Sequence, residues 1–119
     1  MEKEIKKILV VDDSATIRRI IRNELEGGGY CVEEAVDGFD ALKSVAVFTP
    51  DLITLDVDMP ELDGFEICRR IKDYFQEKRQ AGESEHAHVP IVFVTSNDTI
   101  EARQRGFSVG ATDFITKPF

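Results

Sequence analysis

Short β-branched runs recur along the chain at residues 8–11, 52–55 and 91–94. Each is apolar at consecutive positions rather than at every second one, the pattern of a parallel strand whose sheet is covered on both faces. Residues 30–35 form a more polar version, as expected of an edge strand, and residues 113–115 are a short fifth candidate. Helical periodicity fills the intervals. Ser14 can cap a helix whose Ile17, Ile20, Ile21 and Leu25 share one face, before Gly27, Gly28 and Gly29 end it. A second helix is predicted over residues 39–47, with Ala41, Leu42, Val45 and Ala46 inward. A third begins near Gly64 and carries Phe65, Ile67, Cys68, Ile71 and Phe75. The fourth, over residues 99–109, contains Gly106, which costs about 1 kcal/mol relative to Ala and leaves a helix that is easily shifted. Residues 76–88 are polar, contain Gly82 and read as a mobile surface loop.

Five strands alternate with four helices, which implies right-handed crossovers and one parallel sheet in a doubly wound α/β fold. The length of 119 residues suits a single domain. Charge changes the picture in one respect. With 15 basic and 23 acidic residues the net charge is −8, so counterion release from nucleic acid offers nothing and direct binding to it is not expected. The excess carboxylates either hold a divalent cation or keep the surface solvated. Cys31 and Cys68 lack metal-type spacing and read as buried free thiols in a reducing compartment. His86 and His88 lie in the polar loop without a third ligand and read as solvated. The charged N-terminus and the lack of a long apolar run point to no export signal, no membrane anchor and a cytoplasmic location.

In an open parallel sheet, ligands gather at the carboxyl ends of the strands. Asp12-Asp13 follows the first strand, Asp56 and then Asp58 the third, Thr95-Ser96 the fourth and Lys117 the fifth. Three carboxylates brought together repel one another, raising at least one pKa, unless a cation joins them. Mg²⁺ prefers such hard oxygens, and a carboxylate can also be the nucleophile that forms an aspartyl phosphate. Phosphoryl transfer asks chiefly for charge neutralisation and alignment, which Mg²⁺ and a lysine supply. Each feature alone has a plainer explanation: a capping turn for the Asp-Asp pair, a solvated lysine, a polar strand end. Their conjunction at successive strand ends favours a site.

The segments Val10-Val11-Asp12-Asp13-Ser14, Asp56-Val57-Asp58-Met59-Pro60-Glu61-Leu62-Asp63-Gly64, Val94-Thr95-Ser96 and Thr116-Lys117-Pro118-Phe119 resemble the receiver domains of bacterial response regulators in two-component systems. The first helix, with Ile17-Arg18-Arg19-Ile20-Ile21-Arg22-Asn23, is similar to that of chemotaxis-type single-domain regulators. The resemblance spans residues 8–119. It implies a flavodoxin-like five-stranded sheet of order 2-1-3-4-5 and phosphoryl transfer from a histidine kinase or phosphotransfer protein to Asp56. Asp13 is then expected to bind Mg²⁺ directly, Asp12 partly through water, and Asp58 through its backbone carbonyl. Lys117 is expected to pair with the phosphoryl group, Thr95 to swing toward it, and Phe114 to turn inward, reshaping the face of the fourth helix and fifth strand. Arg18, Arg19 and Arg22, on the outer side of the first helix, are candidates to meet the kinase.

Three departures from the pattern stand out. Phe114 occupies a position that is often Tyr, and Asp58 sets another acid beside the acceptor. The Asp58 side chain either alters phosphoryl lifetime or is an exposed loop acid used only through its backbone. Receivers also continue into a fifth helix, whereas this sequence stops at Phe119. The resemblance therefore implies a single domain over residues 1–119 cut short before that helix. Apolar side chains would be left uncovered at about 1.5–3 kcal/mol for each large one, so a destabilised monomer or a homodimer hiding the patch is expected. An output domain beyond Phe119 is the other implication. The competing assignment is a Mg²⁺-dependent phosphatase of the haloacid dehalogenase type, from the Asp-x-Asp spacing of Asp56 and Asp58, although Pro60 and the third-strand position do not suit it.

Overall fold

The structure, a computed structural model, describes residues 6–58, 63–82, 89–96 and 99–117. Five strands, β1 (Lys7–Val11), β2 (Cys31–Ala35), β3 (Leu52–Asp56), β4 (Ile91–Thr95) and β5 (Asp113–Thr116), form one parallel sheet of order β2-β1-β3-β4-β5. Four helices are interleaved among the described residues: α1 (Ala15–Gly27), α2 (Gly38–Phe48), α3 (Gly64–Gln80) and α4 (Ile100–Ser108). Alternate side chains of each strand point to opposite faces. Leu9, Val11, Ile53, Leu55, Ile91 and Phe93 enter the main core with Ala41, Val45, Ile67, Ile71 and Phe75 of α2 and α3. Ile8, Val10 and Val32 point the other way and pack with Ile21, Leu25 and Leu52. The consecutive apolar runs are thus two interleaved faces, both used.

Each helix starts on a side-chain cap. Ser14 accepts a hydrogen bond from the Ile17 N–H, Asp37 from Asp40, Asp63 from Glu66 and Thr99 from Ala102. The α1 face of the sheet also carries an open groove of about 550 Å³, lined by Leu52, Thr54, Val92 and Ile115 among others.

Several expectations need correction. Residues 76–80 are not loop: α3 runs on to Gln80, and only residues 81–82 of the expected loop are turn. Residues 83–88, with His86 and His88, lie outside the described residues. Cys31 is exposed, because it opens an edge strand, while Cys68 is buried. Burial pushes the Cys68 thiol up to about 11. Ala46 and Ile20 are exposed rather than inward. Arg18 and Arg22 do not simply face solvent, since both reach Glu34 of β2, at 3.0 and 2.6 Å. Arg22, then burial acting the other way, then Arg18 set the Glu34 pKa, which ends below the usual carboxylate range. Arg19 is the exposed member of the three.

Candidate functional site

The carboxyl ends of β1, β3 and β5 place Asp12, Asp56 and Lys117 side by side. Their positions follow from the backbone. Asp12 extends β1 by donating its N–H to Ala35 O, and its carbonyl accepts from the Arg18 guanidinium at 2.8 Å. Its Oδ1 accepts from the Ser14 N–H at 2.9 Å, closing the turn into α1. Asp56 ends β3, and the Asp58 N–H donates to its Oδ1 at 3.0 Å. The start of α3 presses on this strand end. A Cβ on Gly64 would lie 2.7 Å from both Asp56 O and Val57 Cα, so only glycine fits there. The Lys117 N–H donates to Thr95 O at 2.8 Å, which aims the lysine back across the strand ends.

The Lys117 ammonium lies 3.3 Å from Asp12 Oδ2 and 3.4 Å from Asp56 Oδ1. Asp12 and Asp56 are almost fully buried, whereas Asp13 is exposed. Oxygens of Asp12, Asp13 and Asp56 all lie within 4.8 Å of one another. Burial pushes the Asp56 carboxyl up from an ordinary 3.8 to about 6. The Asp58 N–H opposes that rise, the Asp12 charge adds to it, and Lys117 opposes it again. Burial also works against the Lys117 ammonium, but its two carboxylates outweigh it and raise the pKa.

The site fits a hard divalent cation on its own geometry. Asp12 Oδ2 is buried and lacks a hydrogen-bond donor, since Lys117 sits at ion-pair distance without hydrogen-bond alignment. That one ammonium is shared between Asp12 and Asp56, which leaves this buried oxygen able to meet a further positive group. The neighbouring donors are all carboxylate oxygens, the set that Mg²⁺ or Ca²⁺ accepts, and Asp13 opens the cluster to solvent.

Thr95 is buried at the end of β4. Its hydroxyl donates to Asp58 Oδ2 at 3.3 Å, and the same oxygen accepts from the Ser96 N–H at 3.3 Å and the Ser96 hydroxyl at 3.1 Å. The Asp58 side chain, exposed as a loop acid would be, is therefore also bonded to the end of β4. Phe114 stands apart from the carboxylates. It already lies inward, edge-on to Phe93 and Phe107 at 5.3 Å each, beneath the Arg103 guanidinium. Gly106 is the seat of that ring. A Cβ there would collide with Phe114 Cζ and lie 2.7 Å from Cε2, so this glycine serves a close contact as well as weakening α4.

The structure brings Asp12, Asp13, Asp56 and Lys117 close together, as expected from their places after separate strands; Arg18, expected to face a kinase, also reaches the site through the Asp12 carbonyl. Arg18 carried a signal: four residues after Ser14, it shares the helix face that looks back at the end of β1.

The response regulator receiver domain family model matches residues 8–119. Response regulator MprA of Mycobacterium ulcerans is 41% identical over 113 residues, which cover 95% of this chain and 44% of that protein; MprA of Mycobacterium avium is equally similar. The chain thus spans less than half the length of the curated relatives it matches. Among solved structures, the chemotaxis protein CheY4 of Vibrio cholerae is 35% identical with a TM-score of 0.83, covering 98% of this chain and 89% of that one. The receiver domain of a Francisella response regulator is 29% identical with a TM-score of 0.76, covering 96% and 85%. Nothing in these likenesses supports the haloacid dehalogenase alternative.

Proposed function

This chain belongs to the response regulator receiver domains of two-component systems, and from that premise we propose that Asp56 is its phosphoacceptor. The observation that carries the assignment is a buried carboxylate at a strand end, flanked by Lys117 and two further aspartates. In the proposed reaction an oxygen of Asp56 attacks phosphorus, the bond from phosphorus to a histidine nitrogen of the donor breaks, and an aspartyl phosphate forms. With a pKa of about 6, Asp56 is mainly ionised at neutral pH yet partly desolvated, which suits a nucleophile. Lys117, already poised between two carboxylates, would pair with a phosphoryl oxygen.

Asp12, Asp13, Asp56 and the backbone carbonyl of Asp58 would hold Mg²⁺, which would neutralise charge on the transferring group. Thr95 would then move toward the phosphoryl oxygen, with Phe114 held inward against Gly106, so that the β4–α4–β5 side registers the change. Any catalysis is confined to the gain and loss of the chain's own phosphoryl group. The partners in this reading are a histidine kinase or phosphotransfer protein in the cytoplasm and an output domain following Phe119. A homodimer also belongs to it, and a stable monomer in sedimentation would remove that part. Among the described residues no helix is long and apolar enough to cross a membrane.

The decisive test incubates the chain with Mg²⁺ and a small phosphodonor and follows intact mass. Gain of one phosphoryl group is expected, lost in Asp56→Asn and abolished by a chelator. Separately, Mg²⁺ alone should shift the backbone amide signals of residues 12, 13 and 56. Mass gain that persists in Asp56→Asn would overturn the assignment.

A further inference from the structure

Asp58 performs two tasks at once. Its N–H holds Asp56 Oδ1 at 3.0 Å, while one oxygen of its side chain gathers three donors from the end of β4: the Thr95 hydroxyl, the Ser96 hydroxyl and the Ser96 N–H. Thr95 and Ser96 are 37 and 38 residues away in sequence, so the contact ties the β3 end to the β4 end. An ionised carboxylate only accepts, and a hydroxyl has a single proton to donate. The Thr95 hydroxyl therefore cannot donate to Asp58 and to a phosphoryl oxygen at the same time.

We propose that the Asp58 carboxylate is a resting-state latch, holding Thr95 and Ser96 away from the acceptor until a phosphoryl group on Asp56 outcompetes it. The inference rests on the phosphoacceptor reading above and adds a positioning role for the side chain of Asp58. The competing acceptors are both anions, so the exchange swaps one charge-assisted hydrogen bond for another. That keeps the two states close in free energy, as a reversible switch requires. The exposure of Asp58 and bonds of 3.1–3.3 Å mark a hold that can be broken. Because Ser96 contributes both its N–H and its hydroxyl, release frees the end of β4 as well as one side chain. When only the unlatched fraction accepts ligand, apparent affinity is reduced by that fraction, and removing the latch restores it.

The test uses beryllofluoride, a phosphoryl mimic, at saturating Mg²⁺, with binding followed through backbone amide signals. Asp58→Ala should bind the mimic about threefold tighter or more and should speed hydrogen exchange at the Ser96 N–H in the ligand-free chain. Asp58→Asn keeps an acceptor without the charge and should fall between the two. The discriminating step repeats Asp58→Ala in a Thr95→Ala, Ser96→Ala background. There a latch has no hydroxyl left to hold, and the gain in affinity should largely vanish. An equal gain in both backgrounds would mean that Asp58 acts only by repelling the mimic, and would overturn the latch while leaving the acceptor assignment standing. Unchanged affinity in Asp58→Ala would overturn it as well. Failure of the unmodified chain to bind beryllofluoride at all would sink the acceptor assignment, and the latch with it.

Discussion

At the ends of β1 and β3 the chain has no room to spare. A methyl on Gly64 would meet the carbonyl oxygen of Asp56 and the Cα of Val57, both backbone atoms. On the β4–α4–β5 side the corresponding tight spot is Gly106, and what a methyl would meet there is side chain rather than backbone: the ring of Phe114 and, at 3.0 Å, that of Phe93. Backbone within a sheet cannot yield, whereas a ring can turn about its own side-chain bonds. The same division appears in the polar groups. Asp12 is fixed by its own turn and by Arg18, at 2.8–2.9 Å, while Thr95 and Ser96 bond an exposed carboxylate at the longer distances of 3.1–3.3 Å. One half of the strand edge is a fixed anvil for chemistry; the other is free to answer it.

The strongest way to break this contrast is Gly64→Ala. Overpacking against an unyielding backbone should cost about 2–3 kcal/mol, read as a lower urea midpoint with an unchanged slope. Phosphoryl gain should fall with it, because relief of the clash must displace Asp56. A near-neutral Gly64→Ala would mean that the fixed half is not fixed.

Asp56→Asn should act in the opposite direction. The folded pKa of about 6 stands above the ordinary 3.8, so as pH rises through that window the unfolded chain loses this proton first. The folded state binds more protons there, and stability from this group falls between about pH 4 and pH 6. In the absence of divalent cation, Asp56→Asn should therefore be more stable at pH 7, by on the order of 3 kcal/mol, and the advantage should shrink as pH falls from about 6 to about 4 and be nearly gone below that. Thermal unfolding across pH reads this directly as a difference from the unmodified chain. Adding Mg²⁺ should narrow the gap at pH 7 by stabilising the unmodified chain more than the variant.

Gly106→Ala should be milder than either. Alanine returns about 1 kcal/mol of helix propensity, but its methyl meets the buried Phe114 ring and lies 3.0 Å from that of Phe93, so a net loss of about 1–2 kcal/mol is expected. The aromatic signals of Phe114 and Phe107 should move, while Mg²⁺-dependent phosphoryl gain persists. Loss of that gain would show that the two halves are not separable.

The fixed half is also the half that could be read from sequence. Its information is local: an aspartate directly after an apolar run, a serine able to cap, a glycine at the head of a helix. Five strands and four helices were legible for the same reason, since both faces of the central strands are apolar. What escaped depends on distant partners. Gly106 looked like a weakness in α4 until Phe114 was seen against it. The Asp58 side chain has no neighbour in sequence that announces Ser96. Residues 76–80 lack the apolar stripe that identifies a helix, yet continue one already nucleated by Ile67, Ile71 and Phe75. Cys31 was assigned to the interior from residue type, but an edge strand leaves its first side chain outside.

The smallest expected effect sharpens the contrast most finely. Arg105 of α4 reaches Asp63 Oδ2 at 3.4 Å and lies 4.2 Å from the centre of the Phe65 ring. It thus tethers the movable half to the helix that leaves the fixed one. Both charged groups are substantially exposed, so water and salt screen the pair, and Arg105→Ala should cost only about 0.5 kcal/mol, less at high ionic strength. Asp63→Ala removes the same tether together with the N-cap of α3, whose Oδ1 accepts from the Glu66 N–H at 2.9 Å, and should cost about 1 kcal/mol more. The two variants therefore separate tether from cap. If the stability difference between them disappears, the cap contributes nothing and α3 is anchored by Gly64 packing alone. If Arg105→Ala instead costs as much as Gly64→Ala, α4 is bound as firmly as the carboxylate pocket, and the division between a fixed and a movable half is wrong.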